Sequence, residues 1–376
     1  MKVHITLVGG QPAPVYHGIV ATMPDYVIFI CSNSSRSVLD RLIPELTIPS
    51  KTINLNPTDP YEIKALADTL AKTFEKDEVT VNISSGLKSW SHFFGLAFDK
   101  CPNAAVVYMD QNNVLWNYRT MTSSVGFEFD MHALFRIYGN ALEHYKRLSY
   151  YTEADQKCID RIEEARRFSH EDFKNLTSVL DKNKMQQLKR REGYFDARSG
   201  SYVEWKRDSD KCMETVHLCL YGRSDHWEEF TFQSPHAIDV VFNTAWFELK
   251  VASILFRWTK AHEVLMNCRF PYVSNIDKNE VDVMVNTGTK ILFVECKTHI
   301  FNSTDIDKFS SVVRAYGGTG SKGIFITMDK MDGMAKQKCE QHGLLHFSLA
   351  GNHGNKSVEE ALFSLLDKEI IHINTK

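Results

Sequence analysis

The chain has 376 residues, and at about 150 residues per domain this length predicts two domains rather than one. It carries 44 Lys and Arg against 47 Asp and Glu, a formal net charge of −3, and 43% of its residues are hydrophobic. This composition is typical of a globular protein and excludes a disordered, collagen-like or coiled-coil chain, while the near-zero charge means that a nucleic-acid partner must be argued from local sites.

The cysteines and the N-terminus indicate the compartment. No two of the eight cysteines form the C-x-x-C pair of zinc ribbons and thioredoxin-like proteins. The first residues form a short apolar run that turns to glycine and proline, unlike a signal peptide, and no stretch reaches 18 consecutive apolar residues. We therefore expect a chain in the reducing cytoplasm, with no membrane partner.

Residues 1–130 alternate short apolar runs with helical patterns. Strands are predicted at residues 3–8, 26–31, 51–55, 78–83 and 104–109, and helices at residues 35–43, 60–74 and 86–98. Near-continuous apolar runs are typical of parallel strands that are buried on both faces. The alternating β-α series predicts an α/β domain with a Rossmann-like doubly wound sheet.

Ligands of such sheets bind beyond the carboxyl ends of the strands, where loops and helix N-termini present backbone N–H groups. Four loops fall there, at residues 9–14, 32–35, 84–88 and 110–113. The third loop is the most informative, because it places two hydroxyls, a glycine and a cation between a strand and a helix. This chemistry suits phosphate, although the same residues could simply cap the helix. The loop lacks the glycine pattern of dinucleotide sites and of P-loops, which disfavours NAD and ATP chemistry.

Residues 131–235 are predicted to be a mainly helical connector. An amphipathic helix is expected at residues 132–149, charged segments follow it, and two short strands are expected at residues 194–202 and 212–221. A basic cluster in this stretch consists of Lys184, Lys189, Arg190 and Arg191. We interpret the cluster as a solvated helix face, with a nucleic-acid contact as the alternative.

Residues 236–376 return to a mixed α/β texture and contain unusual carboxylates. A helix predicted at residues 237–258 carries Glu248. Asp282 is flanked by valines within a strand predicted at residues 279–285. A charge beside a core strand is costly unless it has a partner, so Asp282 is expected to have one.

The next predicted strand, at residues 291–297, supplies candidates for that partner. Glu295 and Lys297 are two residues apart and therefore project from the same face of the strand. A loop at residues 286–289 predicts a hairpin between the two strands, which would bring Asp282 beside Glu295.

These residues suit metal-assisted hydrolysis of a phosphodiester. Carboxylates are hard oxygen ligands for Mn²⁺ or Mg²⁺, and the predicted ligands are Glu248, Asp282, Glu295 and the carbonyl of Cys296. The ammonium of Lys297 would stabilise the attacking hydroxide or the charge that develops on the phosphate. The alternative, a surface ion pair between Glu295 and Lys297, leaves Asp282 without an explanation.

The spacing D-x(12)-E-x-K resembles the PD-(D/E)XK nuclease superfamily, with Asp282, Glu295 and Lys297 at its central positions and Glu248 at its helical acidic position. No proline precedes Asp282, although one is frequent there in the superfamily. Together with the N-terminal sheet, the pattern resembles the CARF-domain (CRISPR-associated Rossmann fold) ancillary nucleases of type III CRISPR systems. The resemblance covers nearly the whole chain and implies a C-terminal restriction-endonuclease-like α/β domain.

This resemblance implies a homodimer that binds a cyclic oligoadenylate, in the first place cyclic tetra-adenylate, across its two-fold axis. The ligand would activate metal-dependent cleavage of single-stranded DNA and RNA, with nicking of supercoiled DNA as a further option. A two-fold ring and a C₂ dimer would make the same contacts twice. The ligand-binding residues implied by motif position are Gly10, Gln11, Pro12, Ser32, Asn33, Ser84, Ser85, Gly86, Leu87 and Lys88.

Two alternative functions are compatible with the sequence. The first is a nuclease that needs no activator and uses its N-terminal sheet only for dimerisation. The second is a ligand-responsive regulator in which the basic connector binds DNA and the nuclease core is inactive, although the presence of all four polar residues argues against it. Degradation of the activator by the sensor domain is disfavoured, because no clear general base accompanies its serines and lysine.

Overall fold

The computed structural model describes residues 1–124, 130–179, 181–222, 225–270, 279–299, 304–317 and 321–371. Within these residues the strands form three sheets, of seven, four and six strands. None of the helices in the described part of the chain is long and apolar enough to span a membrane. All eight cysteines lie in that part, and each is a free thiol.

The first sheet is Rossmann-like, as predicted. Its strands are β1 (Lys2–Val8), β2 (Tyr26–Cys31), β3 (Ser50–Asn54), β4 (Glu78–Asn82), β5 (Ala104–Met109), β6 (Leu115–Asn117) and β7 (Thr122–Ser124). The helices of this domain are α1 (Pro12–Thr22), α2 (Arg36–Leu42), α3 (Pro60–Thr73) and α4 (Lys88–Asp99). In the described residues the strand order is β3-β2-β1-β4-β5-β6-β7, with the first five strands parallel.

Helices on both faces bury this sheet. Ile5 and Leu7 of β1 pack with Trp90 and Phe94 of α4 on one face, and all four side chains are fully buried. Phe29 of β2 belongs to the core on the other face, which continues into the C-terminal domain. The apolar runs of the sequence are therefore explained by burial on both sides.

The predicted helix at residues 132–149 is wrong in its second half. Helix α5 spans Met131–Ile137, and strand β8 follows at His144–Arg147. Gly139 ends the helix because it takes a left-handed conformation, with φ of +79°, and its N–H and that of Asn140 bond back to carbonyls of the last turn. The residues that follow the end of the helix therefore form β8, an edge strand.

The connector contains the expected helices and more β-structure than the two predicted strands. Its helices are α6 (Glu153–Phe168), α7 (His170–Thr177) and α8 (Lys182–Leu188), and its strands are β9 (Glu192–Asp196), β10 (Tyr202–Asp208), β11 (Met213–Tyr221) and β12 (Trp227–Ser234). These four strands pair antiparallel in the order β12-β11-β10-β9. The strand predicted at residues 194–202 is in fact a hairpin, because Gly200 turns the chain with φ of +90°.

The third sheet forms the core of the C-terminal domain. Its strands are β13 (Glu263–Phe270), β14 (Asn279–Asn286), β15 (Ile291–Lys297), β16 (Lys322–Thr327) and β17 (Leu345–Ser348), with β8 at the edge next to β13. The helices are α9 (Ala237–Val241), α10 (Ala245–Phe256), α11 (Thr304–Gly317), α12 (Gly333–Gln341) and α13 (Val358–Leu366). The predicted α/β fold class is thus confirmed.

The single helix predicted at residues 237–258 is divided into α9 and α10. Asn243 and Thr244 lie between the two helices with φ of +56° and +65°, a conformation that stops an α-helix. Asn243 is held there by the connector, since its N–H donates to Thr177 and its side chain accepts from the N–H of Val179. The break starts a new helix just before Glu248.

Candidate functional sites

Two neighbouring strands, β14 and β15, carry three of the four predicted catalytic residues, and β13 lies beside them. The β13–β14 register pairs Met266 with Val283 and Cys268 with Val281, which sets Asn267 opposite Asp282. The β14–β15 register, continued by one residue from its Val283–Val294 pair, sets Asp282 opposite Glu295. The predicted hairpin is therefore confirmed, and it brings the two carboxylates side by side.

Lys297 and Glu295 share one face of β15, as their spacing predicts. The Lys297 Nζ lies 2.6 Å from Glu295 Oε1. Asp282 Oδ2 accepts a hydrogen bond of 2.7 Å from the backbone N–H of Cys296. The Cys296 side chain is buried in the core on the opposite face, so only its carbonyl remains as the predicted metal ligand.

Glu248 reaches this group from the first turn of α10. Its Oε2 accepts a hydrogen bond of 2.9 Å from the Asn267 side chain. Asn267 has a φ of +49° and lies where the pairing between β13 and β8 is irregular, a kind of distortion that is common next to active sites. We did not predict Asn267 from the sequence, although an asparagine within an apolar strand was a signal for it.

Burial and mutual repulsion dominate the electrostatics of the three carboxyl groups. Burial and the Asp282 carboxylate raise the pKa of Glu295 to about 8, and the same two causes raise the pKa of Glu248 well above its usual value. Burial also raises the pKa of Asp282, against the opposing effects of Lys297 and the Cys296 N–H. Burial alone would lower the pKa of Lys297, but the carboxylates of Asp282 and Glu295 raise it.

The donor set and its charge fit a divalent cation. Three carboxyl groups face a single ammonium group, so the fully ionised cluster would carry two uncompensated negative charges, which a divalent cation would neutralise. Carboxylate oxygens are also the ligands that Mg²⁺ and Mn²⁺ prefer. In the arrangement of the described residues, no three His, Cys, Asp or Glu side chains are close enough together to hold a metal. Asp282 and Glu248 accept hydrogen bonds from protein donors in this arrangement.

The second candidate site lies in the N-terminal sheet. In this sheet β2 and β3 lie on one side of β1, and β4 and β5 lie on the other. Such a switch point leaves a crevice beyond the strand ends, here between the loops that follow β1 and β4. The two loops touch: the Ser85 hydroxyl donates to the Gln11 carbonyl at 2.7 Å and accepts from the Gly9 N–H at 3.2 Å. A Cβ atom on Gly9 would lie 1.9 Å from the Ser85 carbonyl oxygen, so only glycine fits.

The structure does not support helix capping as the role of the two serines. Leu87 is the N-cap of α4, and no side chain caps this helix. The Ser84 hydroxyl instead donates to the side chain of buried Asn82 and accepts a 2.6 Å hydrogen bond from the N–H of Met109. Gly86 packs so closely on Leu7 that an added Cβ would lie 2.6 Å from the Leu7 Cβ.

The other predicted ligand-binding residues lie around the same crevice. Ser32 is buried at the end of β2, whereas Asn33 is exposed and accepts a hydrogen bond from Asn54. Pro12 begins α1, and an added Cβ on Gly10 would meet nothing within 4 Å. Leu87 and Lys88 are exposed where α4 begins.

A hydrogen-bonded contact connects this sheet to the hairpin of β14 and β15. In the loop after β5, the Asn113 side chain donates to the carbonyl of Thr289, which lies in the turn between β14 and β15. Lys290 of that turn is 6% exposed, and its Nζ donates to the Asn112 side chain at 3.0 Å and to the carbonyl of Ile370 at 2.9 Å. We predicted this loop as a ligand-side loop, without a link to the catalytic strands.

No protein-family profile and no curated protein matches the sequence. Solved structures do match it. Can2 from Sulfobacillus thermosulfidooxidans, in complex with cyclic tetra-adenylate, superposes with a TM-score of 0.67 at 15% sequence identity, covering 98% of this chain and 99% of its own. The fold is that of Can2. The predicted resemblance to CARF-domain nucleases is therefore confirmed in the fold.

Two further solved structures match this chain. Protein VC1899 from Vibrio cholerae matches with a TM-score of 0.71 at 16% identity, over 98% of both chains. A type III CRISPR defence DNA nuclease activated by cyclic oligoadenylate matches with a TM-score of 0.56 at 14% identity. That match covers 96% of this chain and 51% of the other, so this chain spans about half the length of that nuclease.

Proposed function

We propose that this protein is a cyclic oligoadenylate-activated, metal-dependent endonuclease that cleaves single-stranded DNA or RNA in type III CRISPR antiviral defence. The observation that carries the proposal is the convergence of Glu248, Asp282, Glu295 and Lys297 beside one strand hairpin. The fold shared with Can2 and with a type III CRISPR DNA nuclease supports it. The assembly of all four residues also disfavours a regulator with an inactive core.

Each catalytic residue has a role in this proposal. Asp282, Glu295 and the Cys296 carbonyl would hold a divalent cation, Mn²⁺ or Mg²⁺, and Glu248 would add a further oxygen ligand. A cation held there would supply Lewis-acid chemistry for phosphodiester hydrolysis. Lys297, held by Glu295, stabilises the negative charge that develops on the phosphate. Asn267 positions Glu248 by donating to its carboxylate.

The crevice between the β1 and β4 loops is the proposed activator site. Residues 9–12 and 84–88 follow the carboxyl ends of β1 and β4, where they offer backbone N–H groups and the exposed ammonium group of Lys88. These groups suit phosphate. We propose a homodimer in which two copies of the crevice bind one ring of cyclic tetra-adenylate, with residues 1–130 as the sensor, 131–235 as the connector and 236–376 as the nuclease.

Replacing Lys88 with alanine is expected to weaken the binding of cyclic tetra-adenylate roughly tenfold, because a charged contact to phosphate is lost. Isothermal titration of the dimer measures this affinity, with linear tetra-adenylate as the ligand control. Lys100→Ala is the matched variant, since Lys100 is an exposed lysine at the other end of the same helix. Wild-type affinity in the Lys88 variant would remove Lys88 from the site.

A further inference from the structure

A cleft of about 570 Å³ opens beside Glu248, between the connector and the nuclease domain. Glu248 and Asn267 line it on the nuclease side, and Lys189 and Arg207 line it on the connector side. Its volume is that of a typical ligand pocket. A substrate strand that reaches Glu248 through this cleft would therefore contact the connector, to which the proposed function assigns no role.

Most charges that line the cleft are already neutralised within the protein. Lys146 Nζ lies 2.5 Å from the carboxylate of Asp239, and Arg207 lies 2.8 Å from Glu214. Glu280 is paired with Arg269 at 3.1 Å. Lys146, Arg207 and Lys189 are the Lys and Arg side chains among the described residues that line the cleft. Of these three, Lys189 has no carboxylate of a described residue within ion-pair distance.

His236 lines the same cleft and is held rigidly. Its Nδ1 lies 3.0 Å from Oδ2 of Asp155, which is fully buried, and its backbone N–H donates to the same carboxylate at 2.9 Å. The ring of Tyr150 packs against it, with centroids 4.2 Å apart and the ring planes tilted by 35°. With Nδ1 engaged by a carboxylate, Nε2 is the nitrogen that can bond to a group in the cleft.

Resting on the proposed nuclease function, we propose that the cleft binds the phosphate backbone of the single-stranded substrate through Lys189 on one side and protonated His236 on the other. A lysine that lacks an internal partner and an imidazolium oriented by a buried carboxylate are both donors suited to phosphate oxygens. The charged and titratable groups around the His236 ring are Asp155, Tyr150, Tyr151, Asp239 and Lys146. The charge of Lys146 is balanced by Asp239.

This proposal changes the interpretation of the basic cluster at residues 184–191. Lys189 lines the catalytic cleft, whereas Lys184 lies over the ring of Phe195 and Arg191 bonds to the carbonyl of Arg207. The cluster is therefore divided: Lys189 is the member assigned to the nucleic acid, and the others belong to the surface of the connector.

Fluorescence anisotropy measures the binding of a labelled single-stranded 20-mer to the full-length protein. Cyclic tetra-adenylate is present, and EDTA prevents cleavage during the measurement. Lys189→Ala is expected to weaken binding roughly tenfold at fixed salt. The slope of log affinity against log salt is expected to become shallower by about 0.7, the value for one lost phosphate contact to a single strand. Lys182→Ala, an exposed lysine of the same helix that does not line the cleft, is expected to bind as the wild type does.

In the same assay, His236→Gln is expected to weaken strand binding, because the variant lacks the ring nitrogen that contacts the phosphate. Wild-type affinity and salt slope in Lys189→Ala, or no strand binding by the wild-type protein, would overturn the proposal.

The test of the proposed nuclease function has separate outcomes. Strand binding through Lys189 without any cleavage in Mn²⁺ contradicts the proposed function, whereas activator-dependent cleavage with an unaffected Lys189→Ala contradicts only the proposed phosphate contacts.

Discussion

Glu295→Ala is expected to reduce activated cleavage by at least roughly a thousandfold, while the affinity for cyclic tetra-adenylate stays unchanged. The substitution removes a proposed metal ligand and the partner that holds Lys297 at 2.6 Å. The proposed activator site lies in the N-terminal sheet and loses no contact. Single-turnover cleavage of labelled single-stranded DNA measures the first quantity, and isothermal titration measures the second.

Glu263→Gln is the matched control for this variant. Glu263 is another paired carboxylate of the same sheet, bonded to Arg147 at 2.8 Å, and it has no proposed role in catalysis. We expect it to cleave as the wild type does. Undiminished cleavage by Glu295→Ala would remove Glu295 from the catalytic centre and with it the nuclease assignment of this hairpin.

The second large effect is expected at Lys290, where the sensor sheet meets the catalytic hairpin. Lys290→Met keeps the length of the side chain but breaks its bonds to Asn112 and to the Ile370 carbonyl. If the loop after β5 transmits activator binding to the strands that carry Asp282 and Glu295, the ratio of activated to basal cleavage should fall roughly tenfold. This is within the usual range of coupling free energies, about 1–3 kcal/mol.

This ratio is measured by cleavage at saturating activator and without activator. Lys260→Met is the control, because Lys260 is an exposed lysine of the same domain that makes none of the hydrogen bonds of this contact. A Lys290 variant that keeps the wild-type ratio would show that activation takes another route. Reduced activator affinity with an unchanged ratio would instead make Lys290 a residue that supports the sensor domain.

The site residues that could be predicted from the sequence are those that neighbouring residues in the chain already indicate. Glu295 and Lys297 share a face because strand side chains alternate, and the charge of Asp282 between valines demanded a partner. Both inferences needed only neighbouring residues. Asn267 and Lys290 were missed because their roles come from tertiary contacts: Asn267 acts through its bond to Glu248, and Lys290 through a loop 178 positions away.

The errors in secondary structure have the same origin. The periodicity of the sequence continues through Gly139 and Asn243, but each residue takes a left-handed backbone conformation that ends its helix. Asn243 does so while bonded to two backbone groups of the connector. A helical pattern reports which residues are apolar, and it does not report a stop that another part of the chain imposes.

The most direct test of the central claim is cleavage by the wild-type protein in Mn²⁺, with and without cyclic tetra-adenylate. Labelled single-stranded DNA, single-stranded RNA and supercoiled plasmid serve as substrates, with cyclic hexa-adenylate and EDTA as controls. We predict cleavage of a single-stranded substrate only when Mn²⁺ and the activator are both present. Equal cleavage without any cyclic oligoadenylate, or none under any condition, would contradict an activator-controlled nuclease.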